Sequence, residues 1–241
     1  MPAGSEKRTN ARREEIINAC EKLYQTMSFK EITIKQIGEV TSFSRTSIYN
    51  YFETKEEIFL ALLTREYKMW VEQLKDVLEK YEKLTVEELA GIIADSLEKR
   101  WQLLKILSMN HYDLEENSRT EMLVEFKLMY GEALNAMEQL LIKFRKEFDE
   151  NKRQDFIYAF FPFMFGIYPY SVVTDKQKKA MEEAKVTPDM NVTDMGDALK
   201  SAMTKVTIDG LTGDEMSWSE SGEVNKDPKA VVIENGEYVG M

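Results

Sequence analysis

The stretch TSFSRTSIYNYFETKEEIF, Thr41 to Phe59, decides the fold. It sets small hydroxyls, one arginine and several aromatics directly before a long charged run. Ser44 and Thr54 are favourable N-caps, because a side-chain oxygen can accept from the free amides of a first helical turn. Thr54 and Glu57 have the spacing of a capping box, and so do Thr33 and Gln36 upstream. Three helix starts therefore crowd into 22 residues, and the spacing predicts two short helices followed by a long one.

Upstream of this stretch, Ile16, Ile17, Cys20, Leu23, Tyr24 and Met27 recur every three or four residues. That stripe predicts an amphipathic helix over 10–27. Downstream, Ile58 and Leu62 continue the period towards Leu78. TVEE at Thr85 predicts a helix striped by Leu89, Ile93, Leu97, Trp101, Leu104 and Leu107. SRTE at Ser118 predicts another, periodic from Met122 to Phe148. The uncharged run IYAFFPFMFGIYPYSVV is shorter than most membrane spans and carries Pro162, Gly166 and Pro169, so it reads as a buried, kinked helix. From Val186 the chain becomes richer in Gly, Asp and Thr, and ENGE between Val231–Ile233 and Tyr238–Val239 has the form of a two-residue hairpin. The expected fold is all-α: a three-helix helix-turn-helix head over 1–53, a helical bundle body over 54–185, and a small α+β tail of one helix and a β-hairpin over 186–241.

The formal charge of −11 is unevenly spread: residues 1–55 carry nine Lys/Arg against seven Asp/Glu, and all the net acidity lies beyond them. Phosphate binding depends on Lys and Arg, so any contact with a polyanion belongs near the N-terminus. The N-terminus has basic residues with no apolar run behind them, which gives a cytoplasmic expectation. The single cysteine, Cys20, excludes an internal disulfide and falls in the apolar stripe as a small core residue.

A short helix, a tight turn and a second short helix starting at a hydroxyl form the unit whose second helix enters the DNA major groove. Thr33, Ser44 and Thr54 leave amides and positive dipole ends exposed, with Lys35, Arg45 and Lys55 beside them. Tyr49 and Asn50 can donate to a phosphate or reach a base edge. Ile37, Val40, Phe43, Ile48 and Phe52 have the spacing of the small core between these helices.

The run FKEITIKQIGEVTSFSRTSIYNYFETKEEIFLALL, Phe29 to Leu63, resembles the TetR-type transcriptional regulators. The resemblance implies an all-helical homodimer that binds a double-stranded, near-palindromic DNA operator and is released by a small-molecule effector, with repression as the expected sign. It implies phosphate contacts at Thr33 and Lys35, a recognition-helix cap at Ser44, a groove-facing set of Arg45, Thr46, Ser47 and Asn50, and backbone contacts at Tyr49 and Lys55. The turn departs from the family's Ala-Gly with Thr41 and Ser42. The tail departs too, since ALKSAMTKVTIDGLTGDEMSWSESGEVNKDPKAVVIENGEYV resembles the closing helix and hairpin of amino-acid-binding proteins of ABC transporters.

The aromatics of the middle region are core by periodicity, while the resemblance implies an effector pocket; Trp101, His111, Tyr112, Phe126, Tyr130, Phe161, Phe165 and Tyr168 are its expected lining. His111, the only histidine, lacks partners at metal-ligand spacing, and no base accompanies a nucleophile, so neither a metal, a cofactor nor an enzyme is expected. Two alternatives remain: a helical interaction protein whose unusual tail impairs dimerisation, and a solute-binding transporter component resting on the tail alone.

Overall fold

A computed structural model describes residues 3–42, 44–186 and five strands between 208 and 240, with side-chain surroundings for 8–42, 44–108 and 112–186. The chain divides into two compact units, Met1–Val172 and Val173–Met241.

The first unit is helical. The head comprises α1 (Ala3–Tyr24), α2 (Ile34–Glu39) and α3 (Arg45–Ile48), and the body comprises α4 (Lys55–Lys80), α5 (Val86–Glu98), α6 (Trp101–Glu116), α7 (Thr120–Phe144) and α8 (Glu150–Ser171). In the second unit lie α9 (Asp175–Ala184), an antiparallel three-stranded sheet ordered β1 (Ile208–Gly210), β2 (Gly213–Trp218), β3 (Val224–Pro228), and a hairpin of β4 (Val231–Glu234) and β5 (Glu237–Gly240). Glu234 pairs with Glu237 across the hairpin turn, as the ENGE signal requires. The helix expected within the tail beyond Val186, and the expected core residue Phe43, lie outside the described residues.

The capping boxes of Thr33–Gln36 and Thr85–Glu88 form in full. That of Thr54 forms by half. Thr54 accepts from the Glu57 amide at 3.1 Å, but the Glu57 carboxylate turns to the Glu53 amide and to Arg119. Ser118 does not start a helix either; its hydroxyl donates to Leu114 O, and α7 begins at Thr120. The stripe from Leu89 to Leu107 is not one helix, because the backbone turns at Lys99–Arg100 to separate α5 from α6. Arg100 sends its guanidinium to Glu66 and Met69 on α4, an attraction between distant residues that no local pattern encodes.

One core runs through head and body. Ile16, Cys20, Tyr24, Ile37, Ile48 and Phe52 of the head join Ile58, Phe59, Leu62, Tyr67 and Trp70 of α4, and Phe126, Met137 and Leu140 of α7. Val40, expected inside, is exposed. The uncharged run falls in α8, but only Phe161 and Met164 are buried, so it is half-buried with large aromatic residues on its exposed side as well. Tyr158 and Tyr170 stand outward at 77% and 72% exposure. Among the described residues no single helix is long and apolar enough to cross a membrane.

Candidate nucleic-acid interface and body cavity

The head presents α3 on its surface through a close helix crossing. A Cβ added at Gly38 of α2 would stand 3.3 Å from the Arg45 amide nitrogen, tighter than ordinary packing, and so the hydrogen side chain lets α3 approach. The turn between them is held from α1, where the Glu15 carboxylate accepts the Ser42 amide. That bond keeps Glu15 below the usual carboxylate range. Among the described non-glycine residues only Lys185 has positive φ, so Ser42 carries no left-handed strain.

Thr33, Arg45, Tyr49 and Lys55 line one concavity of about 270 Å³, with Ile32 and Ile34 as its apolar floor. Four residues separated by up to 22 positions thus converge from the starts of α2 and α4 and from α3. Arg45 Nη2 donates to Tyr49 Oη at 3.1 Å, and the guanidinium carbon stands 5.7 Å from the ring centroid. Lys55 Nζ donates to Phe29 O at 2.8 Å and Ile32 O at 3.2 Å, over the Phe29 ring at 4.2 Å. The ammonium is therefore a strut that holds the concavity's wall, with one N–H left over.

Thr46 and Asn50 are exposed beside this concavity. Ser44 is the N-cap of α3 by position, yet its hydroxyl meets Ser47 Oγ at 3.1 Å and makes no cap bond. Lys35 lies outside the concavity and pairs with Glu39 at 3.8 Å, a surface pair of little energetic weight.

Two attachments tie the head to the body, and the sequence signals neither. Glu57, at 0% exposure, receives Arg119 Nε at 2.6 Å and Nη2 at 2.9 Å in a bidentate pair, together with the amides of Glu53 and Arg119. Burial opposes the Glu57 charge, but Arg119 and these amides outweigh it and hold the carboxylate below its usual range. Arg119 Nη2 also reaches Tyr51 O at 3.3 Å. Farther along, Lys105 of α6 donates to Tyr24 O at 2.6 Å, at the last residue of α1, with its ammonium 3.9 Å from the Tyr24 ring centroid. Burial pushes the Lys105 pKa down.

The body holds a cavity of about 460 Å³ between α5, α6 and α8. Its walls are Ile93 and Leu97, Trp101 and Leu104, and Phe156, Phe160, Phe163 and Ile167. Of the seven expected effector residues whose side chains are described, Trp101 alone lines it; Tyr168 packs against Trp101 with ring centroids 4.7 Å apart and the planes tilted at 48°. Phe126 and Phe161 are buried core, joined with Tyr130 to Tyr67 and Trp70 in an aromatic cluster. Tyr112 points to solvent at 77% exposure, Phe165 packs on the core, and the His111 side chain lies outside the described residues. The α8 contributors were legible as an i, i+4, i+7, i+11 stripe; which helices they face was not.

Comparison with known proteins agrees with this architecture. Residues 16–62 match the model of the bacterial regulatory proteins, tetR family, and residues 64–214 match the tetracyclin repressor-like C-terminal domain. A search of curated proteins found none that matches. Among solved structures, the fatty acid degradation regulator FadR of Bacillus halodurans is 15% identical with a TM-score of 0.50, covering 78% of this chain and 92% of that one. FadR of Thermus thermophilus, a TetR-family transcriptional repressor in complex with lauroyl-CoA, is 16% identical with a TM-score of 0.45, covering 83% and 97%. At such identity the likeness to the Bacillus halodurans structure concerns the fold alone. The helix-turn-helix head and the two family matches, the longer spanning more than half of the sequence, establish that the chain belongs to the TetR family of DNA-binding transcriptional regulators.

Proposed function

We propose that the chain is a cytoplasmic repressor that binds a near-palindromic operator as a homodimer and leaves it when an effector enters the α5–α6–α8 cavity. The observation that carries the reading is the convergence of Thr33, Arg45, Tyr49 and Lys55 on one concavity beside exposed Thr46 and Asn50. In this reading Thr33, Tyr49 and the spare Lys55 N–H hold phosphates, with Lys35 adding charge, while Arg45, Thr46, Ser47 and Asn50 face base edges and Ser44 starts the reading helix. Selection of bound fragments from random DNA tests it: a palindromic consensus is expected, and no enriched sequence would overturn it.

The outward face of α8, with Tyr158, Ala159, Pro162 and Tyr170, is the proposed dimer surface, since exposed aromatics on one helical face mark association sites. Tyr158→Glu is expected to give a monomer in light scattering. A wild-type monomer at micromolar concentration would instead favour the helical interaction protein. Release follows from the contacts between cavity and head: Trp101 touches Tyr168, and its own helix carries Lys105 to the end of α1. An effector that favours one position of α6 shifts the population of head positions. The solute-binding reading rests on the tail's resemblance to ABC-transporter amino-acid-binding proteins, and calorimetry without heat from added amino acids would remove it.

A further inference from the structure

We infer that the α5–α6–α8 cavity takes a lipophilic cation, an apolar chain or ring system bearing an ammonium-type head, in preference to an anionic amphiphile of the same size. The inference rests on the proposal that this cavity is the effector site, and it specifies the ligand's chemistry.

Three features of the cavity point the same way. Its walls are aromatic, with Trp101, Phe156, Phe160 and Phe163 around one space, and aromatic faces attract a cation within about 6 Å of the ring centroid. Its single charged lining residue is a carboxylate, Glu98. The third feature is the direction of the helices. Glu98 is the last residue of α5 and Ser171 the last of α8, and both line the cavity. The Trp101–Tyr168 contact puts the α5–α6 turn beside the C-terminal end of α8, so the two helix C-termini share one end of the space. The start of α6 at Trp101 lies in the same turn and offsets the α5 end, so the remaining partial negative charge is that of the α8 end, beside the Glu98 carboxylate.

Two nearby cations are engaged elsewhere. Arg100 is directed to Glu66 and Met69 of α4, and Lys105 is bound to Tyr24 O. A carboxylate or phosphate head at this end would meet Glu98 and the negative end of α8, whereas an ammonium would be held by both. The apolar remainder of the ligand would then cover Trp101 and Phe163, which stand 41% and 60% exposed.

The test is calorimetry on the full chain with dodecyltrimethylammonium and dodecanoate, matched in chain length and kept below their micelle thresholds, in wild type, Glu98→Gln, Glu98→Lys and Phe160→Ala. Glu98 is exposed, so its variants are expected to melt like wild type. The cation is expected to bind about tenfold more tightly than the anion, combining one carboxylate and several ring faces. Glu98→Gln should weaken the cation about threefold and tighten the anion by a similar factor, Glu98→Lys should reverse the preference, and Phe160→Ala should weaken both. Equal or tighter binding of dodecanoate, lost in Phe160→Ala, overturns the inference while the cavity stands as the effector site. Cation binding unaffected by Phe160→Ala also overturns it, because the ligand then sits elsewhere. Binding of neither ligand, with no release of DNA, overturns the inference and the effector reading together.

Discussion

The concavity of the head and the cavity of the body are both openings between three helical segments, yet opposite forces hold them in shape. In the head the polar side chains satisfy one another before DNA arrives: Arg45 on Tyr49, Lys55 on two carbonyls. In the body the walls are apolar, and large rings at the rim stay exposed to water. The first is preorganised, so little ordering entropy remains to be spent on binding. The second gains its stabilisation only when something covers it.

The largest expected effect falls where the two regions are joined. Glu57→Gln leaves Arg119 without its buried carboxylate and is expected to cost about 2–3 kcal/mol, below the range for fully enclosed pairs because Arg119 is partly exposed. The pH dependence follows from the lowered Glu57 pKa. The stabilisation is complete above the unfolded carboxyl value, about 4.3, and disappears as pH falls through the lower folded value. Urea melts of wild type and variant should therefore differ at pH 7 and converge in strong acid; a constant difference would break the account.

Arg45→Ala should cost about 1–3 kcal/mol of operator affinity and relax preference at one base position. Ligand binding in the body should be unchanged, and a parallel loss there would mean the two regions are not separable. Gly38→Ala should lower head stability by about 1 kcal/mol, because the new methyl meets the backbone of Arg45. Thermal melting with operator binding followed in parallel reads it, and an unchanged melt would show that α3 can shift. Lys55→Ala sharpens the comparison from the other side. It should lower the melting temperature as well as the salt dependence of DNA binding, since the ammonium holds Phe29 O and Ile32 O. Tyr49→Phe is the smallest change: about 0.5–1 kcal/mol, uniform across DNA sequences, with the salt slope unaltered because no charge is lost.

The head was far more legible than the body, for a physical reason. Its structure is set by contacts close in sequence: the Thr33–Gln36 box and the Ile37, Ile48 and Phe52 core. Even here the local rules lapsed where a distant partner competed. Glu57 left its capping box for Arg119, 62 residues away, and Val40 stayed outside the small core. The body's stripes marked most inner faces, but the Leu89–Leu107 stripe spans two helices with Trp101 exposed, and a stripe does not name its partner. The break at Lys99–Arg100 sets Arg100 against Glu66 and Met69 of another helix and brings Trp101 to the cavity. Phe126 and Phe161 share the composition of ligand-lining residues with Phe160, and only packing against Tyr67 and Trp70 decides that they are core.

The attachment of Lys105 to Tyr24 O bears on how such regulators can be recombined. A reading head is commonly regarded as a portable part, to be cut out and grafted onto another sensor. Here the final carbonyl of α1 is completed by a lysine of the sensor, and the Tyr51 carbonyl by Arg119 just before α7. A graft cut at the loop after Phe52 would lose Lys55 from the head's concavity and leave the Tyr24 and Tyr51 carbonyls without these partners. The transferable part is therefore larger than the helix-turn-helix head: it includes Lys105 and Arg119, two side chains of the body.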